Sequence, residues 1–469
     1  MESVAGVRSG YWGSPGGRYI QQCRPSVLGG EHVVPRINGP PDETDSLIAI
    51  WISLPIELRL VLLAMLGIAI GVLANWAIYR LAWDARLIGP WVPADETAPP
   101  RKTSDRIPIV GWLGLRREAS IHGSGFWIRP MLIELAMAIG IPLYYWFLTQ
   151  TGLLLPPADR VPAVIAGVQP WMTIVFVSHL IMISLMVAAT FIDFDEQTIP
   201  DEITIPGTLI ALVVACVSMT DSFLPALDLN GVLVPIAFYL PAPAEAPKWT
   251  GPTGWWTGVG IWTMWCFALS NRRLILRRGP LKAFEYFFAS LVRNKPYNPW
   301  KALLAMWLIG AVGVRIVFGI GGDAWIGLLT ALIGLGVGGG VVWAIRIVGS
   351  LAMRREAMGF GDVTLMAMIG AFIGWQGAVM SFFLAPIAAI AIVLVYFIIT
   401  RNSEIPFGPY LCAGTMLSIF GWDRLVNGWF LGNLAILGPF MLWLFVALTG
   451  IMGVMLYFWR VLKETMFGE

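Results

Sequence analysis

The chain has 469 residues, 57% of them hydrophobic and only 13% charged, about half the ~25% charged content of soluble domains; this excludes an ordinary soluble protein and points to a polytopic membrane protein. A formal net charge of +2 gives no footing for a nucleic-acid partner or a strongly acidic ligand. Cys23, Cys216, Cys266 and Cys412 are scattered without any CxxC pair, so neither a thiolate zinc site nor a disulfide framework is expected.

In chain order, residues 1–50 are polar and rich in Gly, Pro and Arg, and read as a disordered tail without a cleavable signal peptide. Apolar stretches follow near 60–80, 131–151, 169–191, 202–220, 254–271, 302–321, 324–349, 363–374, 376–399, 406–421 and 433–458. Most approach the roughly 20 residues that cross a hydrocarbon core, which predicts an all-α transmembrane bundle of about 9–11 spans. The connection after the first stretch is basic, with Arg80, Arg86, Arg101, Lys102, Arg106, Arg116, Arg117 and Arg129. So is the connection after the fifth, with Arg272, Arg273, Arg277, Arg278, Lys282, Arg293, Lys295 and Lys301. Residues 221–253 hold Lys248 alone. The positive-inside rule therefore puts both basic connections in the cytosol, the N-terminus outside and the C-terminal Arg460 and Lys463 inside. On that assignment Asp193, at the end of the third stretch, and Asp362, at the start of the eighth, share the cytosolic face.

Two constellations carry chemistry. The first is Phe191-Ile192-Asp193-Phe194-Asp195-Glu196-Gln197-Thr198-Ile199-Pro200-Asp201. Carboxylates beside a bilayer are costly and mark candidate sites. Asp195, Glu196 and Asp201 also suit plain exposure to water between two helices, and Asp201 suits a helix cap. Asp193 sits deepest, directly after an unbroken apolar run, while Pro200 and Pro206 weaken the local helix. The second is Met358-Gly359-Phe360-Gly361-Asp362-Val363. Its glycines permit close backbone approach, and the alternative makes Asp362 an N-cap. GxGD alone says little in a chain with 51 glycines. Together the two segments supply what peptide hydrolysis by a carboxylate pair needs: two Asp close enough to share one proton.

FIDFDEQTIPDEITIPG, EAMGFGDVTLMAMIGAFIGWQGAV and IPFGPYLCAG, in that order, resemble the type IV prepilin peptidases, the bacterial branch of the GxGD intramembrane aspartyl proteases. The resemblance covers about 125–220 and 322–420. It implies that Asp193 and Asp362 are the catalytic pair, with Pro200, Asp201, Gly359, Gly361, Pro406, Gly408 and Pro409 in supporting places. Gly71-Val72-Leu73-Ala74-Asn75-Trp76-Ala77-Ile78-Tyr79-Arg80-Leu81, with Arg106–Trp112 and Arg129–Glu134, is similar to the N-terminal part of the bifunctional members. There the resemblance implies an S-adenosylmethionine-dependent N-methyltransferase, a possible role for Glu134, and in many members zinc held by two CxxC pairs. Residues 115–128 read LRREASIHGSGFWI, without either pair, so no zinc is expected. S-adenosylmethionine would be needed only if methylation is retained, and Glu134 also suits a carboxylate favouring the start of its helix.

Other departures stand out. Thr364 occupies a position where the family usually has Lys. Residues 221–321 read as an insertion with two extra spans and a basic amphipathic segment over 272–301 suited to anionic lipid. The expected division is a tail over 1–50, an N-terminal region over 51–160, the peptidase core over 161–220 and 322–425 with the insertion between, and a further span in 426–469. His179 reads as a buried hydrogen-bonded residue, and Arg315 as a snorkelling cation.

The expected function is cleavage of the basic leader from prepilins or pseudopilins at the cytosolic membrane face. A presenilin-like protease is disfavoured because the Tyr-Asp motif of those enzymes is missing and Pro225-Ala226-Leu227 precedes GxGD instead of following it. A transporter would place charges near the midplane within repeated halves, and a membrane scaffold without activity is the remaining alternative. Prepilin-type substrates and membrane lipid are the expected partners. No feature specifies an oligomeric state.

Overall fold

The computed structural model describes residues 43–86, 88–94, 97–228, 231–240, 249–270, 299–354, 356–400, 406–438 and 440–467. The tail expected over 1–50 lies outside them up to residue 42, as does the amphipathic segment expected over 272–301 up to residue 298. The described residues belong to one unit, Val34–Glu469.

The chain is a helical bundle. A short α1 (Glu43–Ser53) leads into α2 (Ile56–Arg80), and the following loop carries α3 (Val110–Leu115) and α4 (Ala119–His122) before α5 (Ile128–Gln150). Then come α6 (Pro162–Glu196) and α7 (Asp201–Val217). A small antiparallel hairpin follows, β1 (Pro225–Leu227) on β2 (Leu233–Pro235), with Ala226 opposite Val234. The remaining helices are α8 (Pro252–Ala268), α9 (Pro299–Ile320), α10 (Gly322–Met353), α11 (Phe360–Thr400), α12 (Gly408–Phe420), α13 (Leu431–Leu437) and α14 (Phe440–Phe467). Among the described residues, 7 helices are long and apolar enough to cross a membrane: α2, α5, α6, α9, α10, α11 and α14. α7, α8 and α12 are apolar but shorter. Large side chains such as Ile309, Ile390 and Trp443 are 73%, 72% and 69% exposed on these helices; such apolar exteriors suit lipid contact rather than water.

Glycine sets the close helix contacts, as in membrane bundles where small residues let backbones approach. α10 and α11 meet where a Cβ on Gly334 would lie 2.0 Å from the Gly370 carbonyl oxygen. α2 and α5 meet where a Cβ on Gly71 would lie 2.7 Å from the Glu134 Cα. The two apolar stretches read as 363–374 and 376–399 are one helix, α11, broken at Gly374, whose φ of 76° and ψ of 167° are not helical. Side chains just after this break bind the loop after β2. Trp375 Nε1 donates to the Phe238 carbonyl at 2.8 Å and Gln376 Nε2 to the Ala237 carbonyl at 2.8 Å. α7 runs from the Asp193 end of the bundle to the hairpin, so this anchored loop lies at the opposite end from GxGD.

Candidate active site

Asp193 lies in the last turn of α6, and Gln197 ends that helix in the left-handed conformation (φ 54°), donating its N–H to the Asp193 carbonyl at 2.8 Å. The side chain is 4% exposed, and its Oδ2 accepts the Gly408 N–H at 3.0 Å. Gly408 is the first residue of α12, so the carboxylate sits at a helix N-terminus, where free N–H groups and the helix dipole favour negative charge. A Cβ on Gly408 would stand only 2.5 Å from that Oδ2. Glycine is required here by close approach.

Asp362 is the third residue of α11 and 7% exposed. It is not the N-cap considered above. It accepts the N–H of Gly359, just outside the helix, as an acidic residue in the first turn does in a capping box. It interacts electrostatically with Asp193, so the structure brings together two carboxylates distant in sequence. Between their segments lies Ile199. A Cβ on Gly361 would come within 2.8 Å of the Ile199 Cβ, and one on Gly408 within 2.9 Å of its Cδ1. The second glycine of GxGD thus seats the start of α11 on the loop that precedes α7.

The remaining expected positions have defined places on their elements. Pro200 is extended (φ −66°, ψ 138°) and occupies the N-cap of α7, and Asp201 is the first residue of that helix rather than its cap. Pro409 follows Gly408 at the start of α12, where its missing N–H costs nothing. Pro406 is half-buried just before the α12 N-cap, Phe407. Thr364 is buried and donates its hydroxyl to the Gly361 carbonyl at 3.0 Å, closing the first turn of α11. His179 is fully buried with its Nδ1 2.5 Å from the Tyr144 hydroxyl. The Arg315 guanidinium lies 5.9 Å from the Phe318 ring centroid.

Sequence reading missed three features of this region. Arg346, on α10, donates through Nε to the Met358 carbonyl at 2.9 Å, pairs with Glu356, and lies 5.8 Å from the Phe360 ring centroid. One guanidinium therefore holds the approach to GxGD at three points and acts electrostatically on Asp362. No local motif marks it. Cys412 lies one turn into α12 within electrostatic reach of both Asp, its thiol donating to the Met186 carbonyl at 3.8 Å. Asp195 and Glu196 do not simply face water: Asp195 binds Arg129, and Glu196 accepts the N–H groups of Trp83 and Asp84.

Glu134 is 1% exposed and accepts from Asn75 Nδ2 at 3.1 Å, Trp112 Nε1 at 2.9 Å and the Ile109 N–H at 2.5 Å. It lies beyond the first turn of α5, so the helix-start reading is replaced by a clamp on the α2–α5 loop. That clamp holds Ile109 at φ 65° and ψ −65°, in a strained three-residue turn with the Val110 N–H on the Pro108 carbonyl. The same loop is tied by Arg101 on Glu118, with Nε–Oε1 2.6 Å and Nη2–Oε2 2.8 Å, and by Arg117 on Asp105. Ion pairs thus cross-link the segment where cysteine pairs were absent. Its three donors give Glu134 a structural place in this clamp.

Comparison with known proteins places this geometry in context. Residues 296–395 match the type IV leader peptidase family. The match begins inside the stretch read above as an insertion. The chain is 31% identical over 118 residues to the prepilin leader peptidase/N-methyltransferase of Pseudomonas putida, covering 24% of this chain and 39% of that protein. It is 32% identical over 138 residues to the protein of that name from Aeromonas hydrophila, covering 29% and 42%. The protein of that name from Myxococcus xanthus is 27% identical over 167 residues, covering 36% and 43%. The chain thus spans about two-fifths of the length of these relatives. No solved structure matches it.

Proposed function

We propose that this chain is a membrane-embedded aspartyl endopeptidase that removes the basic leader from prepilins or pseudopilins, with Asp193 and Asp362 as its catalytic pair. The observation that carries the reading is the convergence of two buried carboxylates from α6 and α11, each held by a backbone N–H, Gly408 for one and Gly359 for the other. Asp193 acts electrostatically on Asp362, and two carboxylates that close cannot both ionise freely, so one proton is shared between them. The ionised one takes a proton from water as it attacks the scissile carbonyl; the protonated one polarises that carbonyl and then donates to the leaving amine. The pair titrates as a unit, so the two roles belong to the pair rather than to one residue each.

Position supports the substrate class. The pair stands at one end of two long apolar helices, where a polar leader meets an apolar segment of a membrane-anchored substrate. The positive-inside distribution of Lys and Arg supports the cytosolic face of the cell membrane as that end, and an exterior N-terminus. The expected division, with a peptidase core over 161–220 and 322–425 around the 221–321 segment, belongs to the same proposal. Methyl transfer is the second activity in the names of the relatives, and S-adenosylmethionine would be needed for it; the clamp contacts of Glu134 assign that residue no step in it. Ion coupling by a transporter is disfavoured: the carboxylates lie at helix ends, not at mid-span. The test is processing of a co-expressed prepilin by the wild type and by Asp193→Asn and Asp362→Asn. Loss of processing in both, at undiminished membrane levels, is expected; retained processing in either defeats the reading.

A further inference from the structure

The last turn of α6 carries three carboxylates, Asp193, Asp195 and Glu196. A helix C-terminus already presents a partial negative charge from its free carbonyls, so acidic groups there oppose the dipole. Left alone, this turn is the part of α6 most prone to fray, and it is the turn that places Asp193.

Asp193 is met by the Gly408 N–H, and the charge of Asp195 and Glu196 is offset by the segment joining α2 to α5. Arg129, at the start of α5, binds Asp195 through two parallel contacts of 2.5 Å and 2.9 Å. Its guanidinium lies between two rings, with centroids 5.6 Å away at Tyr79, the end of α2, and 5.9 Å away at Phe191 of α6 itself. A paired and stacked guanidinium has little freedom left to move. Beside it, Glu196 takes the Trp83 N–H at 2.5 Å and the Asp84 N–H at 2.9 Å, so the chain leaving α2 caps the acidic turn. The anchor is itself fixed: the carbonyl of Pro130, next to Arg129, accepts Asn75 Nδ2 from α2 at 2.9 Å. Beyond it, Glu134 clamps the loop.

We infer that the α2–α5 segment serves the peptidase site as a brace, with Arg129, Asp195 and Glu196 as positioning residues for Asp193. This rests on the peptidase reading for its kinetic consequence, but not for its structural one. The brace touches no reacting atom. It fixes the turn from which Asp193 reaches Gly408 and Asp362, and displacement of a catalytic group by about 1 Å costs up to ~10²-fold in rate.

The test uses the full-length protein purified in detergent, as wild type, Arg129→Gln, Asp195→Asn, Glu196→Gln, Arg129→Lys and the double variant Arg129→Gln/Asp195→Asn. A prepilin with an intact leader and apolar helix is the kinetic probe, and amide hydrogen exchange of 191–199 by mass spectrometry reports the turn. Each Gln or Asn variant is expected to lower kcat roughly tenfold with KM unchanged. The double variant should be no slower than either single member, because both remove one contact. Arg129→Lys, which keeps the charge and loses the fork, should fall between. Exchange over 191–199 should quicken in step. Wild-type kcat in Asp195→Asn, multiplying losses in the double variant, or unchanged exchange in the single variants would each overturn the inference. If exchange responds while the wild type cleaves no prepilin, the brace stands and the peptidase reading fails.

Discussion

Gly408→Ala sets two effects of opposite sign against each other. In an α-helix, alanine is favoured over glycine by about 1 kcal/mol, and Gly408 starts α12 without a positive φ, so the backbone accepts the change. The added Cβ, however, would lie 2.5 Å from Asp193 Oδ2, 3.2 Å from its Cγ and 2.9 Å from Ile199 Cδ1. Ile199 can yield at its flexible end. The carboxylate cannot keep its place, because an ordinary contact requires it to retreat by roughly 1 Å, at which the 3.0 Å bond from the Gly408 N–H is lost. A hydrogen bond to a charged acceptor contributes about 1.5–3 kcal/mol, and a 1 Å misplacement near the chemistry costs up to ~10²-fold. The variant should therefore reach wild-type levels in membranes yet process a prepilin about 10- to 100-fold more slowly. Initial processing rates read by gel shift, normalised to enzyme in the membrane fraction, measure this. Wild-type rates would refute the claim that Gly408 seats Asp193. Loss of the folded protein would show that helix propensity was misjudged.

Further outcomes follow from the same contacts. Gly361→Ala places a Cβ 3.0 Å from the Ile199 backbone N, an atom that cannot swing aside, so processing should fall by at least as much as in Gly408→Ala; equal activity to wild type would contradict the packing described. Arg346→Gln should lower kcat by roughly tenfold while Arg346→Lys recovers part of it, since Nε holds the Met358 carbonyl and the charge faces Asp362; a pH–rate profile identical to wild type in Arg346→Gln would remove its electrostatic role. Glu134→Ala removes the acceptor of the Trp112 Nε1 and Ile109 N–H groups, while Asn75 Nδ2 keeps the Pro130 carbonyl; a buried donor left unmet costs about 1–3 kcal/mol. A markedly lower melting temperature in detergent is expected, and an unchanged one would argue against the clamp.

The sequence showed most of what depends on composition and local pattern. Each apolar stretch has a helical counterpart, and the Asp193 and GxGD segments were readable because carboxylates at the ends of apolar runs are costly enough to stand out. The break at Gly374 was legible only as an apparent boundary between two stretches, and the loop that takes the Trp375 and Gln376 side chains lies more than a hundred residues upstream. The partners of Arg346, Arg129 and Glu134 were hidden for a related reason. Each of the three acts through partners on other elements, and a cation in a basic stretch looks alike whether it faces lipid headgroups or a buried carbonyl. Asp195 and Glu196 looked solvated because a run of acids between two helices usually is; their partners lie 66 and more than a hundred positions away. An N-cap place for Asp362 stayed open as the alternative because a Gly-rich helix start leaves the first turn's register undefined by one or two residues.

The most direct measurement is mass spectrometry of the N-terminus of a prepilin co-expressed with the wild type, Asp193→Asn or Asp362→Asn. A single new N-terminus at the junction of leader and apolar helix is expected with the wild type, and an intact leader with either variant. An intact leader with the wild type, or the same cleaved terminus with either variant, would contradict it.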